Sequence, residues 1–67
     1  MYEDQEGKCA ICLVFKDKLY IDHCHRTGKL RALLCFGCNS GIGQMKDNAE
    51  IVLRAAQYLA AWDATNA

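Results

Sequence analysis

Two cysteine pairs, Cys9-x-x-Cys12 and Cys35-x-x-Cys38, and one run, Asp22-His23-Cys24-His25, hold most of the reactive side chains of this sequence. A two-residue spacing lets one tight turn aim both thiolates at a single ion. Two such turns complete a closed tetrahedral Zn²⁺ shell. The 22 residues between the pairs slightly exceed the usual spacer of roughly 15–20 and leave room for a hairpin. A closed shell has no open position, so this zinc is expected to be structural and not catalytic. Three other uses of the cysteines are weaker. Disulfides need an oxidising compartment. A thioredoxin-like redox pair needs a βαβ unit that a chain this short cannot hold. Covalent haem attachment needs histidine directly after the second cysteine, where Leu13 and Asn39 stand.

With zinc's shell filled by four cysteines, His23 and His25 are left for other work. The carboxylate of Asp22 suits a hard ion such as Mg²⁺ or Mn²⁺. A neutral imidazole beside it can take a proton from water near pH 7. The competing reading is a pair of ordinary surface histidines, or one lent to the zinc. Asn39 directly follows the last cysteine, so its amide oxygen is a candidate second ligand for a hard ion held between strand and helix. Cys24, outside both pairs, is expected to be a buried small apolar residue.

The elements that must position these groups are short. Leu19 to His25 alternates with period 2 and reads as a strand. Arg26-Thr27-Gly28-Lys29 is a hairpin turn in which Gly28 can take positive φ. Leu30 to Leu34 is a second strand. Cys35 to Cys38 is a turn, and a short helix is expected from Asn39 to Lys46. Asp47-Asn48-Ala49-Glu50 matches a capping box, with Asp47 as N-cap and Glu50 at N3. The helix it opens should run to about Trp62, with fraying over 60–67. Its apolar stripe of Ile51, Val52, Ala55, Ala56, Leu59 and Trp62 is expected to be core.

A chain of 67 residues forms one domain, and its core is too small to stabilise it alone. Apolar residues make up 52% and the formal net charge is zero, which excludes a disordered charged tail. No apolar run is long enough to cross a membrane. The polar, acidic start is not a signal peptide, so a reducing cytoplasmic interior is expected. There, clustered cysteines favour metal over disulfides. Charge is unevenly spread. Residues 23–46 hold Arg26, Lys29, Arg31 and Lys46 and no acid, a local basic face of the kind that attracts a polyanion.

Asp22-His23-x-His25, Thr27-Gly28-Lys29, Arg31, Leu33-Leu34-Cys35-x-x-Cys38-Asn39 and Gly43, taken in this order, resemble the phage recombination endonuclease VII family. That family lies within the His-Me finger, or HNH-like, nucleases. The resemblance covers roughly Cys9 to Leu59. It implies a ββα-metal domain in which Asp22 and Asn39 bind a catalytic Mg²⁺ or Mn²⁺. His23 would be the general base, and His25 would help place the phosphate or the metal. Arg26, Lys29 and Arg31 would meet the nucleic-acid backbone, with Arg31 serving either there or as structural support. Cys9, Cys12, Cys35 and Cys38 would bind structural zinc. The junction-resolving member of the family carries an acid three positions after the asparagine; here Ile42 stands there.

Residues 1–67 are therefore expected to form a small α+β zinc-stabilised His-Me finger domain with a C-terminal helix. Its expected activity is metal-dependent cleavage of DNA phosphodiester bonds. Its partners are DNA and, for specificity, a second copy or a separate chain. The rival is a non-catalytic zinc-binding module that docks nucleic acid or protein.

Overall fold

The computed structural model describes residues 1–66. Two strands, β1 (Tyr20–His23) and β2 (Leu30–Leu34), pair antiparallel, and two helices follow, α1 (Phe36–Gln44) and α2 (Ala49–Asn66). The protein is thus a small α+β unit, in which α1 packs on both strands. β1 is shorter than the alternation suggested. Cys24 closes the hairpin instead of extending the ladder, donating its N–H to Lys29 at 2.8 Å and accepting from Gly28 at 2.7 Å. Gly28 takes φ +78°, as its place in the turn requires.

The register explains the placement of one charged residue. Asp22 faces Ala32, but His23 faces Leu30, so Arg31 is the extra residue of a β-bulge. Strict alternation would send Arg31 to the face opposite Asp22. A bulge re-aims a side chain, and Arg31 meets Asp22 directly.

The N-terminal residues, read above only as a polar start, form a built structure. Gln5 acts as a short strand substitute. Its side-chain amide accepts from the Leu33 N–H at 2.9 Å and donates to the Leu33 carbonyl at 3.0 Å. Lys8 bridges to Phe15, and Cys9 donates to the Val14 carbonyl. This small loop carries Cys9 and Cys12. Gly7 (φ +71°) lets it close, because a Cβ there would lie 2.7 Å from the Phe15 ring and 2.8 Å from the Tyr2 hydroxyl.

α1 begins three residues before the expected Asn39. Cys35 is its N-cap, its sulfur accepting from the Cys38 N–H, so the second cysteine turn is itself the first turn of the helix. α1 ends with the Asp47 N–H on the Ile42 carbonyl (2.8 Å) and the Lys46 N–H on the Gly43 carbonyl (3.0 Å). This is the Schellman pattern, with Lys46 (φ +62°) where glycine is usual.

α2 corrects three expectations. Its N-cap is Asn48, whose Oδ1 accepts from the Ile51 N–H at 3.0 Å; Asp47 is drawn away by Arg31. Glu50 does not complete a capping box but pairs with Arg54 one turn along. The helix continues through Asn66, past the expected end near Trp62, Ala67 lying outside the described residues. The apolar stripe is not core: no described residue of α2 is buried, and Leu59 and Trp62 are each more than half exposed. A two-stranded sheet and a nine-residue helix offer too little surface to cover it. The buried apolar residues are Cys9, Leu33, Leu34 and Cys35, with Leu19, Cys38 and Ile42 packed around them.

Candidate metal centre and active site

β2 delivers Cys35, the first turn of α1 delivers Cys38, and the N-terminal loop delivers Cys9 and Cys12. The four sulfurs lie within 4.8 Å of one another, and Cys12 and Cys35 are 3.9 Å apart. A Zn–S bond of about 2.3 Å puts sulfurs roughly 3.8 Å apart in a regular tetrahedron, so the donor set fits zinc. All are free cysteines. Backbone N–H groups already face the sulfurs, Ile11 toward Cys9 and Cys38 toward Cys35, both at 3.4 Å.

The electrostatics point the same way. Burial opposes ionisation of Cys9, but N–H groups of Cys35, Cys12 and Ile11 outweigh it and hold that thiol at about 6. Cys38 is pushed up to about 12, first by burial and then by the sulfurs of Cys35, Cys9 and Cys12. The Cys9 thiolate therefore opposes ionisation of Cys38. A divalent cation bound between them would favour both thiolates.

The other end of the hairpin carries the Asp-His run. Asp22 is buried at 7% exposure, and its carboxylate is bonded to a guanidinium. Arg31 reaches it with Nε at 2.6 Å and Nη2 at 3.1 Å. The same guanidinium holds Asp47 with Nη2 at 2.9 Å and Nη1 at 3.3 Å. Hydrogen bonds to Asp22 and then Asp47 raise the Arg31 pKa above its ordinary value, and Arg31 lowers that of Asp47. All four of these guanidinium hydrogen bonds go to carboxylates.

His23, next to Asp22, is exposed, and its ring stacks on that of His25 with centroids 5.6 Å apart. His25, Arg26, Arg31, Lys46 and Asp47 line an open cleft of about 520 Å³ beside the hairpin turn. Lys29 is exposed next to the same turn. Asn39 is half-buried on α1, its N–H bonded to the Cys35 carbonyl at 3.0 Å. The structure thus gathers the four cysteines, joins Asp22 to Arg31, and stacks the histidines. Asn39 is placed on the helix that packs against the hairpin.

Cys24 is not the buried apolar residue expected. It is half-exposed, and hydrogen bonds from Thr27, then from the Arg26 N–H, pull its thiol down to about 7. Two contributors escaped sequence reasoning. The Gln5 bond to Leu33 has no sequence signal. Asp47 carried a signal, but its helix-cap pattern pointed to a different partner.

Comparison with known proteins adds to this geometry. The Gene 59 protein of Mycobacterium phage L5 is 43% identical to the chain over 63 residues, which is 88% of this chain and 38% of that protein. The Gene 59 protein of Mycobacterium phage D29 is 44% identical over the same extent. The chain thus spans under two fifths of the curated relatives it matches. No solved structure matches it significantly. The family described as recombination endonuclease VII matches residues 1–61, a stretch that takes in both cysteine pairs, the Asp-His run, Asn39 and the Arg31–Asp47 bridge. On that match the chain belongs to the recombination endonuclease VII family.

Proposed function

We propose that residues 1–67 are a single metal-dependent DNA nuclease domain of the His-Me finger, HNH-like type, which hydrolyses phosphodiester bonds. The observation that carries this reading is the arrangement around the hairpin: a carboxylate-imidazole couple at the end of β1, and an amide on a helix packed against it, in a chain of this family. Asp22 and Asn39 offer hard oxygen donors, which fit Mg²⁺ or Mn²⁺. Arg31 occupies one side of the Asp22 carboxylate, and each oxygen keeps a further lone pair for a cation. A bound ion supplies charge neutralisation at the scissile phosphate and the leaving oxygen.

The remaining roles fall to the chain's own side chains. His23 is exposed and free to take the proton from an attacking water. His25, stacked on it, limits its rotation and lines the cleft where a phosphate would lie. Arg26 and Lys29 hold the DNA backbone by charge, with little reading of bases. A zinc held by Cys9, Cys12, Cys35 and Cys38 would fix the start of α1 and with it Asn39.

A second reading has one observation in its favour. Both oxygens of Asp22 are bonded to Arg31, as in a purely structural ion pair within a zinc-binding interaction module. Plasmid nicking separates the two. Supercoiled DNA should be nicked with Mg²⁺ or Mn²⁺ and spared in EDTA, and His23→Ala should slow nicking by about 10²–10⁴. Equal rates for wild type and His23→Ala at saturating DNA would leave the interaction module standing.

A further inference from the structure

We propose that Asp47, on the connection between α1 and α2, is a positioning residue for the Asp22 carboxylate and acts through Arg31. The inference rests on the reading of Asp22 as a ligand of a hard divalent ion. It goes beyond that reading by making the α1–α2 turn part of the ion site.

The geometry of Arg31 is the first support. Its guanidinium makes two forks, Nε and Nη2 on Asp22, and Nη1 and Nη2 on Asp47. With one fork the side chain could pivot about its bonds to Asp22. The second fork fixes the guanidinium plane, and through it the plane of the Asp22 carboxylate. Paired forks of this kind give geometric specificity as well as energy.

Charge is the second support. Arg31 alone would cancel Asp22 and leave a neutral pair with little attraction for a cation. With Asp47 the triad carries a net negative charge, held in a partly buried place where the Asp22 side chain is 9% and that of Asp47 25% exposed. A divalent ion at Asp22 gains from that excess.

The backbone is the third. The Schellman end of α1 needs a left-handed residue only at Lys46. Asp47 is left-handed as well, at φ +53°. Glycine adopts this conformation freely, and aspartate is among the few L residues that visit it, at more cost than glycine. A turn selected for backbone alone would favour glycine at 47. An aspartate there is used through its carboxylate, whose salt-bridge partner among the described residues is Arg31, with His25 adding a weaker charge interaction.

The test is Mn²⁺ titration of the zinc-loaded chain, followed by electron paramagnetic resonance, with nicking measured alongside. Asp47→Asn keeps the shape and one acceptor oxygen but removes the charge. Its Mn²⁺ affinity should fall about 10–100-fold, the usual effect of losing a group that orients a metal ligand, with zinc content unchanged. Asp47→Gly, which relieves the left-handed strain, should lose as much affinity while keeping its zinc and a cooperative melt. A merely structural Asp47 would alter melting without altering Mn²⁺ affinity. Asp22→Asn is the reference arm and should abolish the site. If Asp22→Asn abolishes Mn²⁺ binding while both Asp47 variants bind like wild type, the inference is overturned and the reading of Asp22 stands. If Asp22→Asn also binds like wild type, the ion lies elsewhere and both fall.

Discussion

At the Leu34 end of the hairpin four sulfurs converge, those of the buried Cys9 and Cys35 with those of the half-buried Cys38 and the exposed Cys12. At the Leu30 end polar and charged side chains gather, and all but Asp22, Cys24 and Asp47 are exposed. The two ends are only a few residues apart along the same pair of strands, yet they solve different problems. The sulfur end replaces a missing hydrophobic core: Cys9 and Cys35 make up half of the buried apolar residues. The charged end is held by ionic forks from Arg31 and leaves His23, His25 and Arg26 free. The buried apolar residues thus lie at the sulfur end, and both histidines lie exposed at the charged end.

The largest test of that division is metal removal. Structural zinc in small domains contributes about 10–16 kcal/mol at neutral pH, and a core of this size rarely supplies more than about 3–5 kcal/mol. Purified protein should carry close to one zinc per chain, and chelation should abolish cooperative unfolding by circular dichroism. Cys24→Ser should keep its zinc, because Cys24 lies outside the four-sulfur cluster. A metal-free chain that still melts cooperatively would mean that the sulfur end is not the stabilising one.

The same division predicts the opposite pattern for His23→Ala. His23 is exposed and its ring stacks on that of His25, itself exposed, so its loss should change stability by no more than about 0.5 kcal/mol. Nicking should nonetheless fall by about 10²–10⁴. Melting and plasmid assays on one preparation check both halves. A large fall in melting temperature would show that the imidazole belongs to the structural end.

How much of this was legible in the sequence follows from how local each signal is. The cysteine pairs and Gly28 act within a few residues, and the expected sulfur cluster and turn appear. The start of α1 was misplaced because Cys35 is both a ligand and an N-cap, and the cap role uses sulfur in place of the usual oxygen. Asp47 and Asn48 are both competent caps. Only Arg31, sixteen residues away and re-aimed by a bulge, decides between them. The stripe of α2 obeys helical periodicity, but periodicity describes a face and not what covers it. The roles proposed for Asp22, His23, His25 and Asn39 rest on family resemblance and on placement, since their chemistry depends on an ion and a substrate.

Gly7 offers a smaller effect at the sulfur end. Gly7→Ala puts a Cβ against the Phe15 ring and the Tyr2 hydroxyl at a positive φ. Both rings are partly exposed and can yield, so the cost should be about 1–3 kcal/mol, the usual range for overpacking. Urea titration of the zinc-loaded protein measures it. Nicking at temperatures well below the melt should hardly change, because Gly7 belongs to the loop that carries Cys9 and not to the Asp22 end.

The smallest effect belongs to the charged end and is read through pH. Arg31 depresses the Asp47 pKa below its ordinary value of 3.8. A group whose folded pKa is lowered adds stability that is complete above the unfolded pKa and lost as pH falls through the folded one. The Arg31–Asp47 pair should therefore contribute fully at neutral pH, begin to fade below about pH 4, and vanish once Asp47 is protonated in both states. Acid also protonates thiolates and releases zinc, so the wild-type curve alone would mix two processes. Asp47→Asn loses zinc in the same way but has no carboxyl at this position to titrate. The difference in melting temperature between wild type and Asp47→Asn should thus be constant from pH 7 to about pH 5 and shrink toward zero under more acidic conditions. A difference that stays constant throughout would show that the Asp47 carboxylate gains nothing from Arg31, and that the ionic forks are not what holds this end of the hairpin.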